Sequence, residues 1–228
     1  MLTLKPEDVH KCFRRALCVS RSWRRDNLLN TDDADKNELC SAKFLHAVCE
    51  ELSVLPQLQQ LQCNVVKVLD QKCAIKNSWK KSGEWLLDAT WTSSYPIPNR
   101  ADSNAITQVH CAIECESNSA TKELYTDLSK LLVINSPIKI FASGLNQQNA
   151  RFCDYMDERV EELEYILNSP QVRAQKNPAD WYYVFWPSPK KAKSHSIWDQ
   201  FGPDDTYHHL NEIHLFHRGC NASRFRKL

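Results

Sequence analysis

Glycine is scarce in this 228-residue chain: there are four, Gly83, Gly144, Gly202 and Gly219, each isolated from the others. A Walker loop, a dinucleotide fingerprint and a Gly-x-Ser-x-Gly elbow all need clustered glycines, so none can be built here. Long apolar runs are also missing. Stretches such as Leu131-Leu132-Val133-Ile134 are far too short to span a bilayer. The opening residues Met1-Leu2-Thr3-Leu4-Lys5-Pro6 carry no basic-then-apolar leader pattern, so a cytoplasmic location and no membrane partner are expected. Cys-x-x-Cys spacing is absent among the ten cysteines, which argues against a zinc ribbon or a thioredoxin-type site. Reduced thiols acting as small hydrophobes are the expectation. An excess of one charge is lacking too. With 29 basic and 28 acidic side chains the net charge is +1, so any contact with nucleic acid has to be local.

What is present is ordinary globular composition, 42% hydrophobic and 25% charged. Pro6 followed by Glu7 and Asp8 opens a helix whose apolar face is Val9, Phe13, Ala16 and Leu17. The polar residues 20–37 read as a loop. Leu45, Val48, Cys49, Leu52 and Leu55 form a second helical stripe ended by Pro56, and Leu58, Leu61, Val65 and Leu69 suggest a third helix. Residues 1–70 are thus expected to be an N-terminal helical layer on an α/β core spanning 71–228.

The period changes after Gly83. Residues 84–91 (EWLLDATW) and 108–116 (QVHCAIECE) read as strands joined by a connection over 92–105. A helix over 121–134 follows, with Leu124, Leu128, Leu131 and Leu132 inward, and then a strand at 138–142. Next comes an amphipathic helix carrying Phe152, Tyr155, Met156, Val160, Leu163, Ile166 and Leu167. Residues 181–186 (WYYVFW), apolar on both faces, predict a central strand, and 212–218 a last one. The order of elements predicts an α/β protein with one mixed sheet flanked by helices.

One constellation stands above this background. By strand parity His110, Ala112, Glu114 and Glu116 share a face, and Val109, Cys111, Ile113 and Cys115 take the other. Asp88 closes the apolar run of the preceding strand. If the two strands adjoin, Asp88, Glu114 and Glu116 converge, which is unfavourable unless a divalent cation joins them. Hard oxygen donors suit Mg2+ or Mn2+. The alternative is a pair of solvated glutamates on an edge strand. Glu84 shares the face of Asp88 as a reserve ligand or a surface residue.

Glu84-Trp85-Leu86-Leu87-Asp88, Ala112-Ile113-Glu114-Cys115-Glu116 and Asp127-Leu128-Ser129-Lys130-Leu131-Leu132 together resemble the core of the PD-(D/E)XK nuclease superfamily. The likeness covers about a third of the chain, residues 70–145. It implies a restriction-endonuclease-like core and a Mg2+- or Mn2+-dependent endonuclease of defence or repair, with DNA favoured over RNA as partner and a homodimer left open. It also implies Asp88, Glu114 and Glu116 as metal ligands and catalytic residues. The superfamily lysine expected two residues after Glu114 is here Glu116. Lys130 on the following helix is the substitute implied, ahead of Lys122. If the lysine fails to reach the carboxylates, the alternative is an inactive nuclease-like module that binds nucleic acid or protein. A third reading is an interaction protein with a conventional α/β core.

Lesser signals have plain explanations beside functional ones. His208, His209, His214 and His217 near Cys220 hint at zinc, but His214 and His217 lie on opposite faces of a strand. The run 181–186 followed by Lys190 and Lys191 fits base stacking or a buried strand. The N-terminal arginines fit phosphate contacts or the solvated face of the first helix, and Arg21, Arg24 and Arg25 around Trp23 lie beyond that helix.

Overall fold

The structure, a computed structural model, describes residues 2–27, 33–65, 67–69, 75–77, 87–97, 104–116, 121–145, 152–175, 178–187 and 212–228. Two helices lead, α1 (Pro6–Asn27) and α2 (Asp33–Ser53). A sheet follows, built from β1 (Gln62–Val65), β4 (Ala89–Pro96), β5 (Asn104–Glu116), β6 (Ile138–Leu145), β7 (Asp180–Pro187), β8 (His214–Arg218) and β9 (Arg226–Lys227). These seven strands lie in the order β1-β4-β5-β6-β7-β8-β9, and β2 (Lys67–Leu69) pairs separately with β3 (Ile75–Asn77). Pairing is antiparallel from β1 to β5, parallel from β5 to β7 and antiparallel again from β7 to β9. The parallel steps need crossovers. Helix α3 (Thr121–Val133) makes the first, and α4 (Phe152–Leu167) with the short α5 (Pro170–Arg173) makes the second.

The expectation of an α/β protein with a mixed sheet flanked by helices is met. Each face of the sheet carries its own core. Val9, Phe13, Ala16 and Leu17 of α1 and Phe44, Val48 and Leu52 of α2 pack over Trp91, Cys111, Ile113, Ile140, Tyr182 and Val184. On the other face Leu124, Leu128 and Leu131 of α3 and Met156, Val160 and Leu163 of α4 cover Ala112, Phe141, Tyr183 and Phe185. Every residue of β7 from Trp181 to Trp186 is at most 5% exposed. That strand is central, as its two apolar faces predict, and its rings cannot be a base-stacking platform.

Four local readings are corrected. Residues 20–27 and 33–37 are helical, because α1 runs to Asn27 and α2 starts at Asp33. The segment is polar but holds neither proline nor glycine, and its Arg, Leu, Ala and Lys residues are good helix formers. The helix expected over 58–69 is instead a set of turns followed by β1 and β2. Leu61, Cys63 and Val65 pack on the core with period two, and Asn64 Nδ2 donates to Thr92 Oγ1 at 3.0 Å.

The third correction concerns Asp88. Strand β4 begins at Ala89 and runs to Pro96, so Asp88 precedes its strand rather than closing it, and much of the expected 92–105 connection is strand. In an antiparallel hairpin only the start of one strand lies beside the end of the next. Asp88 can therefore adjoin Glu114 because of this shift. The fourth concerns parity. Trp91 pairs with Cys111 but Thr92 with Val109, so His110 is an extra residue, a bulge that turns Val109 toward the α3–α4 core.

Candidate active site

The end of β5 carries an acidic residue into an apolar wall. Glu114 is 1% exposed, on the face shared by Ala112, and its register partner on β6 is Phe141. Leu124 and Leu128 of α3 lie over the same face. Oε2 of Glu114 accepts a hydrogen bond from Lys130 Nζ at 3.2 Å, while Oε1 is buried with no partner. Burial, then the neighbouring Asp88, push the Glu114 carboxyl up to about 9, against the opposing pull of Lys130. Burial thus favours the protonated form of Glu114, and a cation bound beside it would favour the charged one.

Asp88 is positioned by the backbone of the strand it faces. Its Oδ2 accepts from the Cys115 N–H at 2.8 Å, which extends the β4–β5 ladder by one bond beyond the Ala89–Ile113 pair. The half-buried Glu116 ends β5 two residues after Glu114 and opposite Ser143 of β6. Asp88 and Glu114 are thus brought together, with Glu116 at the same strand end.

Lys130 reaches the site from α3. Its ammonium lies 2.6 Å from Asp127 Oδ1, one turn earlier, as well as 3.2 Å from Glu114. Burial acts to lower its pKa, but the hydrogen bond to Asp127 and the Glu114 charge outweigh that, and the net shift is upward. Lys130 is a fixed cation. The i,i+3 spacing of Asp127 and Lys130 is the sequence signal for this pair. The side chain of Lys122 and the whole of Glu84 lie outside the described residues.

Other polar groups share this face but escaped the sequence reading. Ser143 Oγ, Tyr183 Oη and Tyr155 Oη are buried, the Tyr183 hydroxyl lies against Ser143, and the Arg159 guanidinium stands 5.2 Å from the Tyr155 ring centroid. Nothing in the local sequence pattern distinguishes them from core.

The fit to a divalent cation rests on donor chemistry. Asp88, Glu114 and Glu116 offer hard carboxylate oxygens, and Glu114 Oε1 is a buried acceptor still lacking a donor or a metal. Among the described residues no group of three or more His, Cys, Asp or Glu side chains is already gathered around one point as a metal site. The same holds for zinc. His214 pairs with Phe185 while His217 stacks on Tyr182, so the two histidines face opposite ways, and His208 and His209 lie outside the described residues. Lys190, Lys191 and the side chains of Arg24 and Arg25 do as well.

No protein-family model matches this chain, and no curated protein or solved structure matches it either. Among the described residues no helix is long and apolar enough to cross a membrane.

Proposed function

We propose that this chain is a Mg2+- or Mn2+-dependent endonuclease of DNA, cytoplasmic, built on a restriction-endonuclease-like core. The observation that carries the reading is Glu114: a buried carboxylate with one oxygen on Lys130, the other unpartnered, and Asp88 beside it. The order of a helical layer, an antiparallel hairpin bearing the carboxylates, and parallel strands joined by helices supports the same reading.

Asp88, Glu114 and Glu116 would hold the cation, which when bound supplies an acidified water and polarises a phosphate oxygen. The protein's own groups do the rest. Asp88 is held in place by the Cys115 N–H. The Lys130 ammonium, fixed by Asp127, orients the attacking water and offsets negative charge growing on the phosphate. The apolar wall of Leu124, Leu128 and Phe141 excludes bulk water and strengthens both interactions. Hydrolysis leaves a cleaved phosphodiester.

The test is strand cleavage of plasmid and oligonucleotide DNA in Mg2+ and in Mn2+. Cleavage that is lost in Asp88→Ala and Glu114→Ala supports the proposal. Failure of the wild type across both metals and a broad substrate set overturns it. A second reading is a nuclease-like module that binds nucleic acid or protein without cutting. It is favoured by Glu116 standing where the superfamily has its lysine. Specific DNA binding with no cleavage would establish it.

A further inference from the structure

The end of β7 that begins at Asp180 carries a cavity that plays no part in the nuclease reading. A cavity of about 380 Å³ opens there beside Trp181, Leu167, Val172 and Pro178, and its other wall holds Arg173 and Arg218. Among the described residues no carboxylate lines it, although Asp180 beside it accepts from the Cys220 N–H at 2.9 Å. The two guanidinium groups converge on one neutral acceptor: Asn168 Oδ1 takes a hydrogen bond from Arg173 Nη2 at 2.9 Å and from Arg218 Nη2 at 3.1 Å. Asn168 is itself oriented by its Nδ2 donating to Ser223 O at 2.9 Å, so the amide oxygen stays turned to the arginines.

Two cations sharing an amide oxygen repel each other and lack the counter-charge such a pair normally has. Arg218 spends its Nε–H on Ala222 O, and neither arginine makes a salt bridge among the described residues. Glu164 acts on Arg218 only from beyond salt-bridge distance, and its Oε1 accepts from the Phe225 N–H. A third positive group stands nearby. Lys139, 2% exposed, is the register partner of Trp181 and holds its ammonium 5.1 Å from that ring's centroid.

An apolar wall beside two arginines that have no salt bridge among the described residues, in a cavity of metabolite size, matches one kind of ligand. We infer that this cavity is a binding site for a small organic anion, with its oxyanion head, phosphate or carboxylate, held by Arg173 and Arg218 and its compact apolar body against Trp181, Leu167 and Val172. The unspent N–H groups of the two arginines supply the forked donors that either head group accepts.

Calorimetric titration of the full chain with phenyl phosphate and with phenylacetate tests this, with benzyl alcohol as the neutral control. One or both anions should bind and the alcohol should not; the better ligand names the head group. Arg173→Met and Arg218→Met should each weaken binding about tenfold or more. Arg173 is exposed, so its variant keeps the experiment decisive even if Arg218→Met disturbs the fold. Unchanged affinity in Arg173→Met overturns the inference, as does absence of binding by both anions at about 10 mM.

Discussion

Lys130 on α3 donates to Glu114 on β5 across 3.2 Å while Asp127 grips the same ammonium at 2.6 Å. A strand carboxylate is thereby served by a helix lysine. The cation beside Glu114 comes from the element that follows its strand.

Lys130→Met is expected to lower DNA cleavage by about 10²- to 10⁴-fold while leaving the fold and metal binding in place, because the ammonium acts on charge that develops during the reaction. Plasmid nicking with circular dichroism and manganese calorimetry measures all three. Full cleavage by Lys130→Met with loss in Lys122→Met would move the role to Lys122.

Asp88→Asn and Asp88→Ala should differ. The asparagine keeps an oxygen for the Cys115 N–H, so its stability should stay near wild type, whereas alanine orphans that donor at a cost of about 1–3 kcal/mol. Both should lose manganese affinity, and the Asp88→Ala, Glu114→Ala double variant should show none. Equal manganese binding by wild type and the double variant would remove the metal site.

Glu114 ties function to a pH-dependent stability. Its folded carboxyl is raised to about 9 from an ordinary 4.5, so the folded state holds the proton more tightly. Its contribution is fully present below the unfolded pKa and is lost as pH rises through the folded one. Glu114→Gln, which stays neutral, should therefore be more stable than wild type at pH about 9 by about 1–3 kcal/mol, and equal to it near pH about 4. Urea denaturation in EDTA at the two pH values checks this. An identical difference at both would contradict it.

The cysteines should titrate as ten free thiols in denaturant. In the native chain Cys18 and Cys153, which are exposed, should react first. Burial pushes Cys12 up to about 11 and raises Cys111 further, so both should resist a thiol reagent at pH about 8. Rapid modification of Cys111 would contradict its packing under α2.

Much of this was legible in the chain itself. Period-four stripes placed α3 and α4, and the doubly apolar run placed β7 in the centre, because burial on one or two faces writes directly into residue spacing. The short motifs around Asp88, Glu114 and Lys130 picked out residues that the fold brings together. Spacing could not distinguish a helix from a strand at Leu58–Leu69, since the same apolar residues satisfy both periods over so short a run. Nor could it announce the His110 bulge, which exists only because two strands pair. Which end of its strand Asp88 occupies, which helix lysine meets Glu114, and that Arg173 and Arg218 share Asn168 were all decided by tertiary packing. Each depends on contacts between residues distant in sequence, and a local pattern encodes the faces of an element but not what those faces meet.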